Sequence, residues 1–335
     1  MRIQAQSPCR VDLAGGTLDI WPLYLFHQPA VTVNFAVNRY TSCDLTVRDD
    51  RKIILRSSDQ KGEETFEDIE QLLATKHYKL PLLAQIVKFF RPTVGFELST
   101  NSEAPHGGGI SGSSSLLITI ASALNKLTGA RYPIEKLREI AQNVEAQIIR
   151  VPTGCQDYYP AMYGGVGAIE MTPAGVIHSA LPIDLADFNS RIVLAYSGMP
   201  RNSGINNWEV TKAHIDRNGA VHKNFAQIAA ISNALRTALE KADWTEAGRL
   251  IREEWSHRRK NAPGISTELI DRLVAKTKRA GAKAAKVCGA GGGGCVFFLV
   301  EPEAKEAVQV VITLEGGEVL PIEVAPKGVR LKVTR

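Results

Sequence analysis

The chain has 335 residues, 44% of them hydrophobic and 22% charged, and a formal net charge of +5. Those proportions belong to a soluble globular protein long enough for two domains. The mild charge, scattered among acids with no long basic stripe, points to an anionic small molecule and away from nucleic acid.

Five irregularly spaced cysteines (Cys9, Cys43, Cys155, Cys288 and Cys295) contain no CxxC pair, which argues against a disulfide framework or a cysteine zinc site and for a reducing compartment. The opening residues lack a signal-peptide core, and no apolar run reaches the ~18 residues of a membrane span. The expectation is a cytoplasmic protein, monomeric or homodimeric, with no membrane partner.

In chain order, VTVNFAV (Val31–Val37) alternates apolar residues at period two and predicts a strand. CDLTV and KIILR read as a hairpin turning at Asp49-Asp50. IEQLLATKHY and LPLLAQIVKFF predict helices, and TVGFELST a strand. APHGGGISGSSSLLITIASALNKLTG, from Ala104 to Gly129, is a glycine-serine loop running into an apolar helix that starts near Ser114. PIEKLREIAQNVEAQII is a further helix, and YGGVGAIEMTPAGVIHSALPI a hairpin turning at Pro173-Ala174-Gly175.

A domain boundary is expected near DLADFNSR, dividing residues 1–185 from 186–335, ahead of the strand IVLAYSG. The second half is helical to about Gly281, and then KVCGAGGGGCVFFLV leads into a strand. VLPIEVAPKGVRLKVT supplies one or two more. Hairpins mixed with helix-separated strands predict an α+β protein with mixed or antiparallel sheets.

Gly107–Gly112 formally matches GxGxxG. A dinucleotide fingerprint needs a strand running straight into the glycines, whereas residues 101–106 intervene here. No Lys-Ser/Thr follows the last glycine, which excludes a Walker A loop, and the helix that follows excludes a protein-kinase glycine loop. What remains is an anion cradle: several backbone N–H groups with no side chains in the way, plus the positive end of a helix dipole. Ser111, Ser113, Ser114 and Ser115 add hydroxyls suited to capping the helix, binding phosphate oxygens or touching a metal ion.

PHGGGISGSSSL resembles the second motif of the GHMP kinases, the superfamily of galactokinase, homoserine kinase, mevalonate kinase and phosphomevalonate kinase. SPCRVDLAGGTLDI (Ser7–Ile20) is similar to the first motif, and KVCGAGGGGCV (Lys286–Val296) to the third. The resemblance implies a domain like ribosomal protein S5 domain 2, followed by a ferredoxin-like domain, with the site between them. It also implies ATP and Mg²⁺ as cofactors, with the phosphates on Gly107, Gly108, Gly109, Ser111, Gly112, Ser113, Ser114 and Ser115. VEAQIIRVPTGCQDYYPAMYGG resembles the family segment with a helical glutamate and, twelve residues on, a catalytic aspartate. By that resemblance Glu145 and Ser113 hold Mg²⁺, Asp157 takes the proton of the acceptor hydroxyl, and Arg10 sits beside Asp157.

The first and third motifs imply that Gly15, Gly16, Thr17, Asp19, Gly291 and Gly292 border the acceptor. Only the final aspartate of galactokinase's glutamate-histidine-threonine-aspartate run is kept here, as Asp19. RVDLAGGTLD looks closer to heptose 7-phosphate kinases and to the kinase domain of fucokinase, which act on an anomeric hydroxyl. The implied acceptor is therefore a sugar or sugar phosphate, whose phosphate would meet Arg201 and the Lys286 region.

Overall fold

In the computed structural model, which describes residues 1–200 and 203–334, the chain opens with a strand the alternation had not marked, β1 (Arg2–Ala14). Its first residues alternate in burial, but Ser7 through Ala14 are buried on both faces, which erases the period-two signal. β1 pairs antiparallel with β2 (Ala30–Val47), a single strand that joins VTVNFAV to CDLTV. The two halves of β2 have different second neighbours: residues 41–47 pair with β5 (Phe96–Ser102), and residues 30–35 with β6 (Val166–Thr172).

The expected hairpin at Asp49-Asp50 does not form. β3 (Ile53–Ser57) pairs in parallel with β5 and antiparallel with β4 (Gly62–Phe66), so β5 lies between β2 and β3. Residues 48–52 instead wrap the start of β5. There the Arg48 N–H donates to Gly95 O at 2.9 Å and the Phe96 N–H to Lys52 O at 2.9 Å. The local turn signal is outweighed by the alternating FELST strand, which pairs on both edges.

β7 (Gly175–Ala180) completes the expected hairpin with β6. Two short helices, α1 (Ile69–Ala74) and α2 (Pro81–Phe90), precede β5. α3 (Gly112–Thr128) starts two residues before the expected place and stops at Gly129, which is left-handed. α4 (Ile134–Ile149), α5 (Tyr159–Tyr163) and α6 (Leu185–Ser190) follow.

The second half holds β8 (Ile192–Tyr196), then α7 (Ser203–Ile215), α8 (Gly219–Glu240), α9 (Trp244–Arg258) and α10 (Glu268–Arg279). Next come β9 (Ala282–Val287), β10 (Cys295–Val300), α11 (Lys305–Leu314), β11 (Glu318–Leu320) and β12 (Arg330–Thr334). The third glycine run is thus the connection of an antiparallel β9-β10 pair, inside a sheet ordered β11-β8-β10-β9. β10 sits between two neighbours and is buried throughout, as its unbroken apolar run CVFFLV requires.

Val11 and Leu13 of β1 and Phe35 of β2 share one core with Leu235 of α8, Leu250 of α9 and Phe297 of β10. The last strand, β12, returns to pair with β1. Among the described residues no helix is long and apolar enough to cross a membrane.

A Cβ placed on Gly95 would lie 2.1 Å from Asp50 O. Gly95→Ala is expected to cost about 2–3 kcal/mol, within the range of severe backbone clashes. It should lower the urea midpoint with an unchanged slope.

Candidate active site

The glycine loop is built from residues with positive φ, Gly107 (62°), Gly109 (75°) and Ser111 (57°), so the backbone reverses sharply before α3. Its carbonyls face protein donors. The Cys295 N–H donates to Gly108 O at 2.7 Å, the Arg10 N–H to Ile110 O at 3.0 Å, and an Arg10 guanidinium N–H to Gly109 O at 2.7 Å. The first-turn N–H groups of α3 have no acceptors within the helix, and so suit an anion.

Below that turn Glu145, buried on α4, accepts hydrogen bonds from Ser113 Oγ (2.5 Å), Ser114 Oγ (2.8 Å) and Tyr158 Oη (2.5 Å). Burial pushes its carboxyl up, against the pull of those three hydroxyls. Ser113 is exposed to the cleft and Ser114 is buried. Ser115 turns away from the cleft: its hydroxyl donates to Pro8 O at 2.9 Å and meets Thr41 Oγ1 at 2.9 Å.

Across the cleft, Arg10 donates to Asp157 Oδ1 from Nε (2.9 Å) and from its terminal nitrogen (2.6 Å). Both bonds fall on one oxygen, and the Asp157 side chain stays 25% exposed. Behind Arg10 lies a set of charges that the motifs did not single out. Asp12, fully buried, takes Arg258 at 2.9 Å, Lys286 at 3.0 Å, the Gly289 N–H at 2.9 Å and Arg10 at 3.5 Å. Burial alone would raise its carboxyl, but Lys286, Arg258 and Arg10 hold it far below the usual carboxylate range. Buried Glu254 completes the set, 3.2 Å from Lys286 and 3.7 Å from Arg258.

Asp19 is nearly as buried, but it has no cation of its own. Its two oxygens accept from the backbone N–H (2.9 Å) and the amide (3.3 Å) of Gln156. Burial and the nearby Asp157 push its carboxyl up to about 6. Gly154 packs against it so closely that a Cβ there would fall 1.9 Å from Asp19 Oδ2.

Thr17 and Asp19 line a cleft of about 310 Å³ together with Arg10, Gly107–Ser113, Glu145, Asp157 and Gly289. Gly15, Gly16, Gly291 and Gly292 are not among its lining residues. Gly16 packs on the Arg258 guanidinium, and the Gly292 N–H donates to Ile265 O at 2.9 Å. Lys286, expected near the substrate phosphate, cannot reach it, because its ammonium is fully enclosed by Asp12, Glu254 and Leu13 O. Arg201 lies outside the described residues.

Residues 79–165 match the family model described as GHMP kinases N terminal domain, and residues 235–314 match GHMP kinases C terminal. The chain is 27% identical to the D-glycero-alpha-D-manno-heptose 7-phosphate kinase of Campylobacter jejuni, over 98% of each chain. It is 24% identical to the L-fucokinase/L-fucose-1-P guanylyltransferase of Bacteroides fragilis, over 93% of this chain and 36% of that protein. Lactococcus lactis galactokinase in complex with galactose superposes with a TM-score of 0.81 at 20% identity, covering 98% of this chain and 95% of that one.

Two expectations follow from these charges. Asp12→Ala would leave buried Lys286 and Arg258 to share Glu254 alone, an excess of buried positive charge, and is expected to cost about 3–5 kcal/mol in urea unfolding. Asp19→Asn works the other way. The folded protein keeps the Asp19 proton up to about pH 6, whereas the unfolded chain releases it near the ordinary aspartate value of 3.8. Wild type therefore loses stability as pH rises between those values, on the order of 2–3 kcal/mol. Asparagine carries no charge, and its N–H can meet Gln156 Oε1, a buried atom that lacks a hydrogen bond. The variant should melt higher than wild type at pH 7.5, with the gain vanishing near pH 4.

Proposed function

The chain belongs to the GHMP kinase superfamily, and we propose that it transfers the γ-phosphoryl group of ATP to the anomeric hydroxyl of a heptose 7-phosphate or a closely related sugar. The observation that carries this reading is the Arg10-Asp157 pair facing the Ser113-Glu145 pair across the glycine loop, within one cleft. Transfer through a loose transition state asks for positioning and charge more than for covalent help.

Ser113 and Glu145 fit Mg²⁺. They are hard oxygen donors, and Glu145 is a buried carboxylate whose charge burial disfavours and no cation among the described residues pairs with. When bound, the ion supplies positive charge to the phosphates. Gly107–Ser114 would seat those phosphates at the start of α3, with Ser115 serving the packing beneath. Asp157 would draw the proton from the acceptor hydroxyl through Oδ2, the oxygen that Arg10 leaves unbonded. Arg10 holds the carboxylate in place and faces the alkoxide as it forms.

The name of the Campylobacter jejuni relative supports a phosphorylated heptose, and Thr17 and Asp19, which line the cleft, would meet its hydroxyls. Arg201 is retained as the contact for the sugar's own phosphate. The two functional units are taken as residues 1–185 and 186–335, with β12 returning to the first sheet.

Transfer from radiolabelled ATP across heptose 7-phosphate, fucose, galactose and mevalonate tests the acceptor. Preference for heptose 7-phosphate is expected, and preference for mevalonate would overturn the sugar assignment. Asp157→Asn should lower kcat ~10²–10⁴-fold with KM nearly unchanged. Arg10→Met should lower it too, and the double variant should fall short of the sum, because both act on one proton.

A further inference from the structure

Away from the cleft, three histidines far apart in sequence converge. His27 follows the short 3-10 turn Leu23–Phe26, His214 lies in the last turn of α7, and His222 in the first turn of α8. Among the described residues they are the one group of three or more His, Cys, Asp or Glu side chains whose ligand atoms lie within 4.8 Å of one another. His27 Nε2 is 2.8 Å from His214 Nε2, and the rings of His214 and His222 are 3.9 Å apart. His222 Nε2–H donates to the His214 carbonyl at 3.0 Å. In the neutral ring that bond leaves Nδ1 as the nitrogen with a lone pair, the kind of outer contact that fixes the tautomer of a metal-bound imidazole. Phe26 and Phe225 pack on the cluster. His27 and His214 are buried, and burial together with the neighbouring imidazoles lowers the proton affinity of both, His214 to about 4. Both are therefore suited to the neutral form that metals bind.

We propose that His27, His214 and His222 form a binding site for one zinc-class dication, which ties α7 and α8 to the turn after Phe26. An all-imidazole set suits zinc and its transition-metal neighbours, and is a poor match for Mg²⁺ or Ca²⁺, which take oxygen. Three histidines leave a fourth tetrahedral position for water. Metal–nitrogen bonds of 2.0–2.1 Å set ligand nitrogens roughly 3.3 Å apart, so on binding the His27–His214 contact opens by about half an ångström and gives up the proton it shares to solvent, while the wider pairs, all within 4.8 Å, close by about 1.5 Å at most. The site also has a reach. Asn207, on the same helix as His214, lines the cleft. Seven residues at 1.5 Å each separate the two by about 10 Å along the helix. A metal here pins a wall of the cleft to the unit that carries the glycine loop.

The test uses full-length protein stripped with a chelator, then titrated with ZnCl₂ in excess Mg²⁺. One zinc per chain is expected, with a melting temperature raised by about 4 °C at a hundredfold excess over Kd. Co²⁺ in place of zinc should give the intense visible absorption of a tetrahedral site. His222→Asn, at a half-buried position, should weaken zinc binding at least tenfold while its metal-free melting temperature stays near that of wild type. His27→Gln should do the same. Absence of stoichiometric zinc, or equal affinity in wild type and both variants, overturns the site. So does zinc binding that is lost in Glu145→Gln and kept in His222→Asn, which assigns the metal to the cleft.

Discussion

The structure turns on one buried carboxylate. Asp12 is removed from water altogether, a position that an isolated charge could hold only at a cost of many kcal/mol. It is tolerated because Lys286, Arg258, Arg10 and the Gly289 N–H all point at its two oxygens. Each partner comes from a different part of the chain: Arg10 from β1 itself, Arg258 from α9, Lys286 from β9 and Gly289 from the third glycine run. One side chain therefore fixes the direction of Arg10, and through it Asp157, while locking the β9-β10 turn against β1. Strand periodicity makes this possible. Arg10 and Asp12 share one face of β1, while Cys9, Val11 and Leu13 on the other join the apolar core.

The acids divide into two kinds by what surrounds them. Asp12 is held ionised by cations that outweigh burial, so it serves the fold. Glu145 and Asp19 are pushed up by burial, and their hydrogen bonds among the described residues come from neutral donors. Their charges are costly until something from the cleft compensates them: a cation at Glu145, the hydroxyls of a sugar at Asp19. A fold that satisfies its buried charges in one place and leaves two uncompensated along one cleft has localised its instability at the site.

Much of this was legible because it rests on local chemistry. The glycine-serine run before an apolar helix and the hairpin at Pro173-Ala174 follow from neighbouring residues alone, whereas the Arg10-Asp157 and Ser113-Glu145 pairings, 147 and 32 residues apart, were legible only through the resemblance of their motifs to a known family. What escaped was set by distant chain. The Asp49-Asp50 turn looks like a hairpin until β5 arrives from more than forty residues on to separate its strands. Trp21, a large apolar side chain in the loop after Asp19, is 67% exposed, since no helical or strand period reports which side of an irregular loop meets solvent. The histidine cluster has no spacing signal at all, because residues 27, 214 and 222 meet only through the packing of α7 and α8 on the first unit.

α9 is where the sequence held more than was taken from it. REEWSHRR reads as a charged, solvated helix end, yet neighbouring residues of the same type have opposite fates. Glu253 pairs with Arg249 and Arg259 with Asp271 at the surface, whereas Glu254 and Arg258 are buried with Asp12 and Lys286. Helical phase distinguishes them. Ala247, Leu250, Ile251, Glu254, Trp255 and Arg258 fall on one stripe at the i, i+3, i+4 spacing, and all six are buried. An acid and a base four residues apart on the apolar stripe, and not beside it, are unaffordable as solvated charges. They require partners of opposite sign inside the protein. In a chain whose first motif offers Asp12 and whose third opens with Lys286, those partners were already on the line, and the phase of α9 was the clue that joined them.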